Sequence, residues 1–481
     1  MLNVTQEKNI YCMIIAEIKN KKDYLESQFL KLRFPVVLRQ LLDCTPSKRR
    51  PGIFMSLMPI MSLYCNRLRL QYPLDNGKVT APVVQCYVYG SSAAGKGKVE
   101  EFQTLLAAKL SEMDSKERAE EEAFLAKKRE SSSKKKLGTP PDTSVFIFPE
   151  KVTSFIMVQR GLAATRRFGE TLLQYQFTAE LKSIISAHKG DYIDIDTLLL
   201  KCYDYGSLLG AETGNVDASR GFADVNMSVC YCSTEFVLNE FFSEERMLSG
   251  VLNRAILIPF VGKRLTYRSV SDTQKSDINH YLDVLFASIF NADGTLKPVY
   301  FENTDFLTRH VENFFEHIDI IVEKPLTKAG DTIEEFSIRA SVNAFRIAAI
   351  CLHLYKVEQA ENNTITNDEI ERNVVQIYRF AVYYILNNTL FQFGAKHDDA
   401  VQRLNAMRAA ENDLSGIGLY DFMDWQFSFR DLARTMSKAN MVSDPKHRIS
   451  QWKTWNMITE TDVGQYEKIP IEEHKAHKTS S

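Results

Sequence analysis

The segment Gly90-Ser91-Ser92-Ala93-Ala94-Gly95-Lys96 has the residue types and spacing to cradle a polyphosphate. A glycine-rich turn lets consecutive main-chain N–H groups converge on an anion, and a helix opening directly behind it adds its positive end. Lys96 would set its ammonium against the β- and γ-phosphates, while Ala93 and Ala94 keep the turn small enough for close approach. Gly97 and Lys98 carry the chain into the helix. One position departs from the pattern. The residue after the lysine ordinarily bears a hydroxyl that binds Mg²⁺, and here it is Gly97. Ser91 and Ser92 are the nearest hydroxyls. An ordinary glycine turn with a solvated lysine is the plain alternative.

The elements flanking the turn must be a strand and a helix for this chemistry to work. Residues 83–89 form a short apolar run rich in Val and Tyr, bounded by Pro82 and Gly90, which predicts a buried strand. Helical sequence follows from Gly97 to about Arg129, and its second half is almost all charge and alanine. Four more apolar runs predict strands, at 145–148, 171–177, 227–232 and 255–260, with helical stretches at 154–164 and 179–188. This alternation predicts an α/β core with an open, mostly parallel sheet.

Around it we expect a helical N-terminal region (1–80), the α/β core (81–262), a second helical region (263–397), a small C-terminal domain (410–470) and a flexible tail (471–481). Residues 53–64 predict a buried helix too short to span a bilayer. The Gly-rich stretch 205–223 reads as an inserted hairpin, 338–355 as an amphipathic helix and 394–409 as a linker.

Composition narrows the class. A chain of 481 residues exceeds one ordinary core, and 44% hydrophobic with 25% charged residues is globular usage. The net charge of -2 gives the whole molecule no electrostatic preference for nucleic acid or membrane, so any such partner needs a local patch. Eight scattered cysteines fit neither a zinc site nor a disulfide framework, and Cys230 and Cys232 fall on one side of a strand as small buried hydrophobes. With no signal-peptide layout at the N-terminus, a reducing cytoplasm is the expected compartment, without a membrane partner.

By order and pattern the chain resembles a family of P-loop NTPase-like, primase- or helicase-like proteins of unknown function from bacteria, phages and mobile elements, over roughly residues 34–469. The resemblance rests on Phe34-Pro35, the glycine turn, the run Leu-Leu-Gln-Tyr-Gln-Phe-Thr-Ala-Glu ending at Glu180, Ser233-Thr234 after a later strand, and Gly250-Val251-Leu252-Asn253-Arg254. It implies a RecA/AAA-like P-loop core binding ATP, with Glu180 orienting the attacking water and Ser233 or Thr234 sensing the γ-phosphate. It also implies Arg254 as an arginine finger for a neighbouring subunit, and hence a ring or filament of identical copies. The helix around Arg346 would be a lid. The family's acidic partner to Glu180 is absent, since Ala179 stands there; with Gly97, that leaves Mg²⁺ to be held mainly by phosphates and water. Each residue also has a structural reading. Glu180 suits the first turn of a helix, Ser233 or Thr234 a helix N-cap, Arg254 a salt bridge and Arg346 a structural contact.

The C-terminal region predicts a winged helix-turn-helix. Residues 427–434 form a first helix, 443–455 a second with Ser443 as N-cap and Pro445 in its first turn, and 458–466 the wing. Lys446, Arg448, Gln451 and Lys453 would face DNA, although such units also dock proteins. A lysine run at 134–136 offers further phosphate contacts or a solvated loop. Together these readings predict a helicase-like replication ATPase of a mobile element or phage, with any primase a separate partner. The alternative is a nucleotide-dependent switch or scaffold that hydrolyses little.

Overall fold

The computed structural model describes residues 4–75, 77–130, 141–188, 193–211, 221–262, 265–323, 330–412, 419–420, 423–438 and 444–469. The lysine run at 134–136, Ser443 and the tail from 471 lie outside the described residues. The chain divides into two compact units, Met1–Gly394 and Ala395–Ser481.

The first unit is built on a five-stranded, all-parallel sheet of β1 (Gln85–Tyr89), β2 (Ile147–Phe148), β3 (Gln174–Thr178), β4 (Met227–Ser233) and β5 (Ala255–Pro259). Its order is β2-β3-β4-β1-β5, so β1 lies between β4 and β5. All five predicted strands are present, and β1 and β4 are buried along their whole length, as continuous apolar runs in a sheet covered on both faces should be.

Successive side chains of a strand point to opposite faces, and β1 shows what covers each. The Cys86 thiol faces the Met55 carbonyl in helix Arg50–Tyr64, whereas the Gln85 amide donates to the Leu199 carbonyl in helix Ile195–Tyr203. Helix Arg50–Tyr64 is apolar all round because it is enclosed between the sheet and the long helix Gly97–Glu130. Beyond that helix, Leu68–Gln71 is a strand in a separate small sheet.

Helix Gly97–Glu130 buries one stripe, through Val99, Phe102, Leu106, Leu110, Asp114 and Glu117, at three- and four-residue spacing. The two acids at its end have a purpose there. Asp114 accepts 2.8 Å bonds from the Phe146 and Ile147 N–H groups, and Glu117 accepts from the Ser144 N–H and pairs with Arg167. They satisfy the backbone leading into the edge strand β2, which no further strand covers.

Two long helices, Gly330–Asn362 and Asn367–Thr389, pack against each other, and the second reaches β5. Arg346 is buried in the first. It donates to the Val83 carbonyl and the Thr80 hydroxyl and stacks 3.9 Å from the Tyr203 ring. Its acceptors Val83 and Thr80 precede β1, at the sheet edge opposite the glycine turn, so it tethers structure and the expected lid over the site is not formed by this arginine's contacts. The inserted hairpin is present as Leu208–Ala211 paired with Gly221–Asp224.

The second unit opens with helix Ala395–Asn412, where a linker was expected. A strand, Gln426–Ser428, precedes helix Phe429–Lys438, so Phe427 lies in a strand and not in the first helix. Helix Pro445–Thr454 follows, capped by the Asp444 side chain, which accepts from the Lys446 N–H in the role expected of Ser443. Strands Ile458–Asp462 and Gln465–Lys468 form a hairpin to which Gln426–Ser428 adds. A separate small core, centred on the fully buried Trp452 with Leu432, Met436 and Phe427, holds these pieces together.

Candidate functional site

Strand β1 delivers the chain to the glycine turn, and the helix starts at Gly97. The Gly90 N–H donates to the Ser233 carbonyl, and the Phe260 N–H donates to the Tyr89 carbonyl at 2.6 Å, so the turn leaves the sheet between the ends of β4 and β5. A Cβ on Gly90 would stand 2.4 Å from the Phe260 carbonyl oxygen, which only glycine tolerates. Gly95 has a φ of 86°, the left-handed region that glycine enters freely. Ser91, Ser92 and Ala93 are exposed at the head of the turn, while Ala94 is buried beneath it.

Lys96 reaches back across the turn. Its ammonium donates to the carbonyls of Gly90 at 2.6 Å and Ser91 at 3.0 Å. Partial burial pulls its pKa below the ordinary lysine value, with the Cys232 side chain opposing that shift. A charge held against carbonyl oxygens without a carboxylate is available to an incoming anion.

An open cleft of about 360 Å³ lies beside the turn, lined by Ser92, Lys96, Glu180, Lys182, Ser233 and Thr234, with Ala179, Leu181 and Val237. Residues 92, 180 and 233 are far apart in sequence; the parallel sheet brings them together because β1, β3 and β4 all end at this edge. The carboxyl edge of a parallel sheet is where ligands of open α/β folds bind.

Within the cleft the individual residues differ. Glu180 is exposed and caps helix Leu181–Ala187 without a side-chain hydrogen bond, so its carboxylate is not spent on the helix end. Ser233 is buried and its hydroxyl donates to the Thr234 carbonyl. Thr234 is the N-cap of helix Glu235–Phe241, accepting from the Val237 N–H at 3.3 Å, as the structural reading had it. Gly97 has open space around its Cβ position, and Lys98 pairs with Glu101.

Arg254 is not brought to this cleft. It precedes β5 and therefore lies at the opposite edge of the sheet. Its guanidinium pairs with Asp204 at 2.7 Å and donates to the Gly250 carbonyl, leaving the side chain 13% exposed. Reaching a neighbouring copy would require breaking that pair.

Sequence reading missed two residues here. Lys182, in the first turn after Glu180, lines the cleft but reads in sequence as a solvated helix lysine. Glu150, just beyond β2, meets the Thr178 hydroxyl at 2.7 Å, and that hydroxyl also accepts from the Glu180 N–H. The carboxylate after β2 is thereby tied to the turn that presents Glu180. Only its position two residues past a predicted strand hinted at this.

The residues fit a triphosphate: the glycine turn with the helix opening at Gly97, and two lysines, Lys96 and Lys182, border the same cleft. They do not fit a protein-chelated divalent ion. Gly97 lacks a hydroxyl and Ala179 a carboxylate, and among the described residues no cluster of three metal-ligating side chains occurs.

In the second unit, Lys446 and Lys453 are exposed on helix Pro445–Thr454, whereas Arg448 donates to Gln451 at 2.9 Å. Lys453 pairs with Glu460 of the hairpin and stands over the Tyr466 ring, so part of the expected basic face is neutralised from within. All eight cysteines are free, seven of them buried. Among the described residues no helix is long and apolar enough to cross a membrane. Comparison with protein families and with curated proteins finds no match to this chain.

Proposed function

We propose that this chain is an ATP-binding P-loop NTPase with a RecA/AAA-like core, acting as a helicase-like replication ATPase of a mobile element or phage. The observation that carries the nucleotide part is the convergence of Lys96, Glu180 and Ser233 on one cleft at the carboxyl edge of the parallel sheet. In this reading the turn's N–H groups and Lys96 grip the phosphates, the Lys96 ammonium exchanging its bonds to Gly90 and Ser91 for phosphate oxygens. Glu180, free of any cap bond and tied through its backbone to Thr178, orients water; Ser233 faces the terminal phosphate. Mg²⁺ would come with the nucleotide, held by phosphates and water. The second unit, with two helices and a hairpin in winged-helix order, supports a docking role toward DNA through Lys446, or toward a replication protein.

A second reading, a switch or scaffold that binds ATP and turns it over little, is favoured by the Arg254–Asp204 pair together with Gly97 and Ala179. One experiment separates the two. Turnover of ATP is measured with and without single-stranded DNA, for wild type, Lys96→Ala and Glu180→Gln. DNA-stimulated turnover lost in both variants supports the motor; tight ATP binding lost in Lys96→Ala, with negligible turnover throughout, supports the switch. Unchanged ATP binding in Lys96→Ala rejects both.

A further inference from the structure

The part of the site beyond the phosphates was invisible in sequence, yet the structure holds an unexplained cation beside the turn. Arg49 is 5% exposed, and its Nε and Nη2 atoms are buried with no hydrogen-bond partner. No carboxylate pairs with it among the described residues. It also occupies the N-cap of the buried helix Arg50–Tyr64, the end where a positive side chain opposes the helix dipole. A guanidinium with no anion beside it and two of its three nitrogens buried without an acceptor is disfavoured, so this arrangement calls for a partner that the chain itself does not supply.

Its surroundings point to that partner. The guanidinium lies 4.8 Å from the centre of the Phe260 ring, and Phe260 is the residue whose carbonyl presses on Gly90. On the same side, the Tyr267 ring edge comes within 3.3 Å, and its hydroxyl within 3.5 Å, of the Cβ position of Gly95. That hydroxyl is likewise buried without a partner. Arg49 is near enough to draw the Tyr267 phenol's ionisation down against the rise that burial imposes. Tyr267 is half-buried on an irregular segment after β5. Two unsatisfied donors and an aromatic face therefore meet at the flank of the turn formed by Gly90 and Gly95, while Lys96, Glu180 and Ser233 line the cleft. Phe260 follows β5, on the other side of β1 from β4, so these groups flank the turn on the side away from the Glu180 and Ser233 walls of the cleft.

We propose that Arg49, Tyr267 and Phe260 form the nucleoside end of the site, where the guanidinium and the phenol donate to the acceptor edge of a nucleoside triphosphate's base and sugar. This rests on the P-loop reading above. Arg carries only donors, in a planar fork suited to paired acceptors, and inorganic triphosphate lacks a group that would reach it.

The test compares ATP with inorganic tripolyphosphate, both by calorimetry on the full chain, for wild type, Arg49→Met, Arg49→Lys and Tyr267→Phe, with thermal unfolding as the fold control. We expect Arg49→Met to weaken ATP roughly ten- to hundredfold, the size of a lost charge-assisted contact, with tripolyphosphate unchanged. Arg49→Lys should recover part of the loss, and Tyr267→Phe should weaken ATP by a few-fold at an unchanged melting temperature. Should Arg49→Met not fold, the Lys and Tyr267→Phe variants give the same comparison. Equal weakening of ATP and tripolyphosphate would mean that Arg49 grips phosphate, and no weakening of ATP in any variant would mean that it grips nothing; either result overturns the proposal while leaving the P-loop reading intact. A wild type that binds neither ligand rejects the P-loop reading itself.

Discussion

Lys96 donates a 2.6 Å hydrogen bond to the carbonyl of Gly90, the first residue of its own turn. The ammonium is thereby placed over the concave side of the turn before any anion arrives, and its binding energy is not diminished by a carboxylate competitor. Removing it should cost nucleotide affinity and little else. Lys96→Ala is expected to weaken ATP binding roughly ten- to hundredfold, with a melting temperature within a few degrees of wild type. Equilibrium binding of a fluorescent ATP analogue reads this directly, and an affinity within twofold of wild type would remove Lys96 from the site.

Glu180 caps its helix without using its carboxylate. If it orients water, Glu180→Gln keeps the shape and hydrogen-bonding reach but loses the base, so turnover should fall by about 10²–10⁴-fold while ATP remains bound. Single-turnover hydrolysis beside a binding titration distinguishes this from a loss of affinity. A Glu180→Gln protein that turns over at the wild-type rate removes the carboxylate from the chemistry.

Gly90 and Gly97 should respond oppositely to a side chain. Gly90→Ala drives a Cβ to 2.4 Å from the Phe260 carbonyl oxygen and is expected to cost roughly 1–3 kcal/mol of stability. Gly97→Ser meets open space, should change stability by no more than about 0.5 kcal/mol, and supplies the hydroxyl that Mg²⁺ ordinarily finds there. We expect faster Mg²⁺-dependent turnover in Gly97→Ser. Denaturant midpoints and a Mg²⁺ titration of turnover measure the two effects.

Arg254 is bound to Asp204 at the far edge of the sheet. Arg254→Ala should therefore act through stability, lowering it by about 1–2 kcal/mol for a partly buried pair, with Asp204→Asn showing a similar loss and the double variant little more than either. A double-mutant cycle in urea tests the coupling. Turnover that collapses in Arg254→Ala with stability unchanged would restore the arginine-finger role.

Asp114 gives the fold a pH signature. Burial pushes its carboxyl from 3.8 up to about 6, against the lowering effect of the N–H bonds from Phe146 and Ile147. A carboxyl raised in the folded state binds more protons than in the unfolded chain between those values. Its stabilising contribution is thus complete below about pH 4 and disappears as the pH climbs through 6, a change of ~3 kcal/mol. His353 runs the other way: burial lowers its pKa from 6.5 to about 4, so its contribution is lost as the pH falls toward 4. Comparing wild type with Asp114→Asn cancels the histidine. The difference in unfolding free energy should move in favour of the variant by roughly that amount between pH 4 and 7, and a pH-independent difference would contradict the assignment.

The sequence by itself determined the local pieces. The apolar run 83–89, bounded by Pro82 and Gly90, reads as a buried strand and helical sequence opens at Gly97, and both elements form there. The family resemblance marked Glu180 and Ser233, each placed after a run that reads as a strand. Local pattern failed where tertiary packing chose between equal options. Residues 394–409 read as a linker but lie largely in the helix Ala395–Asn412, and Phe427, expected in a helix, is drawn into a strand by pairing with Tyr466. Strand order was likewise a matter of packing: nothing in the order of the segments says that β4 lies between β1 and β3, and only that arrangement sets Ser233 beside Lys96. The fates of Arg254 and Arg49 were decided in the same way. An arginine's sequence neighbours do not tell whether a carboxylate will reach it; the fold brought Asp204 to the first and left the second buried, unpaired and next to the glycine turn.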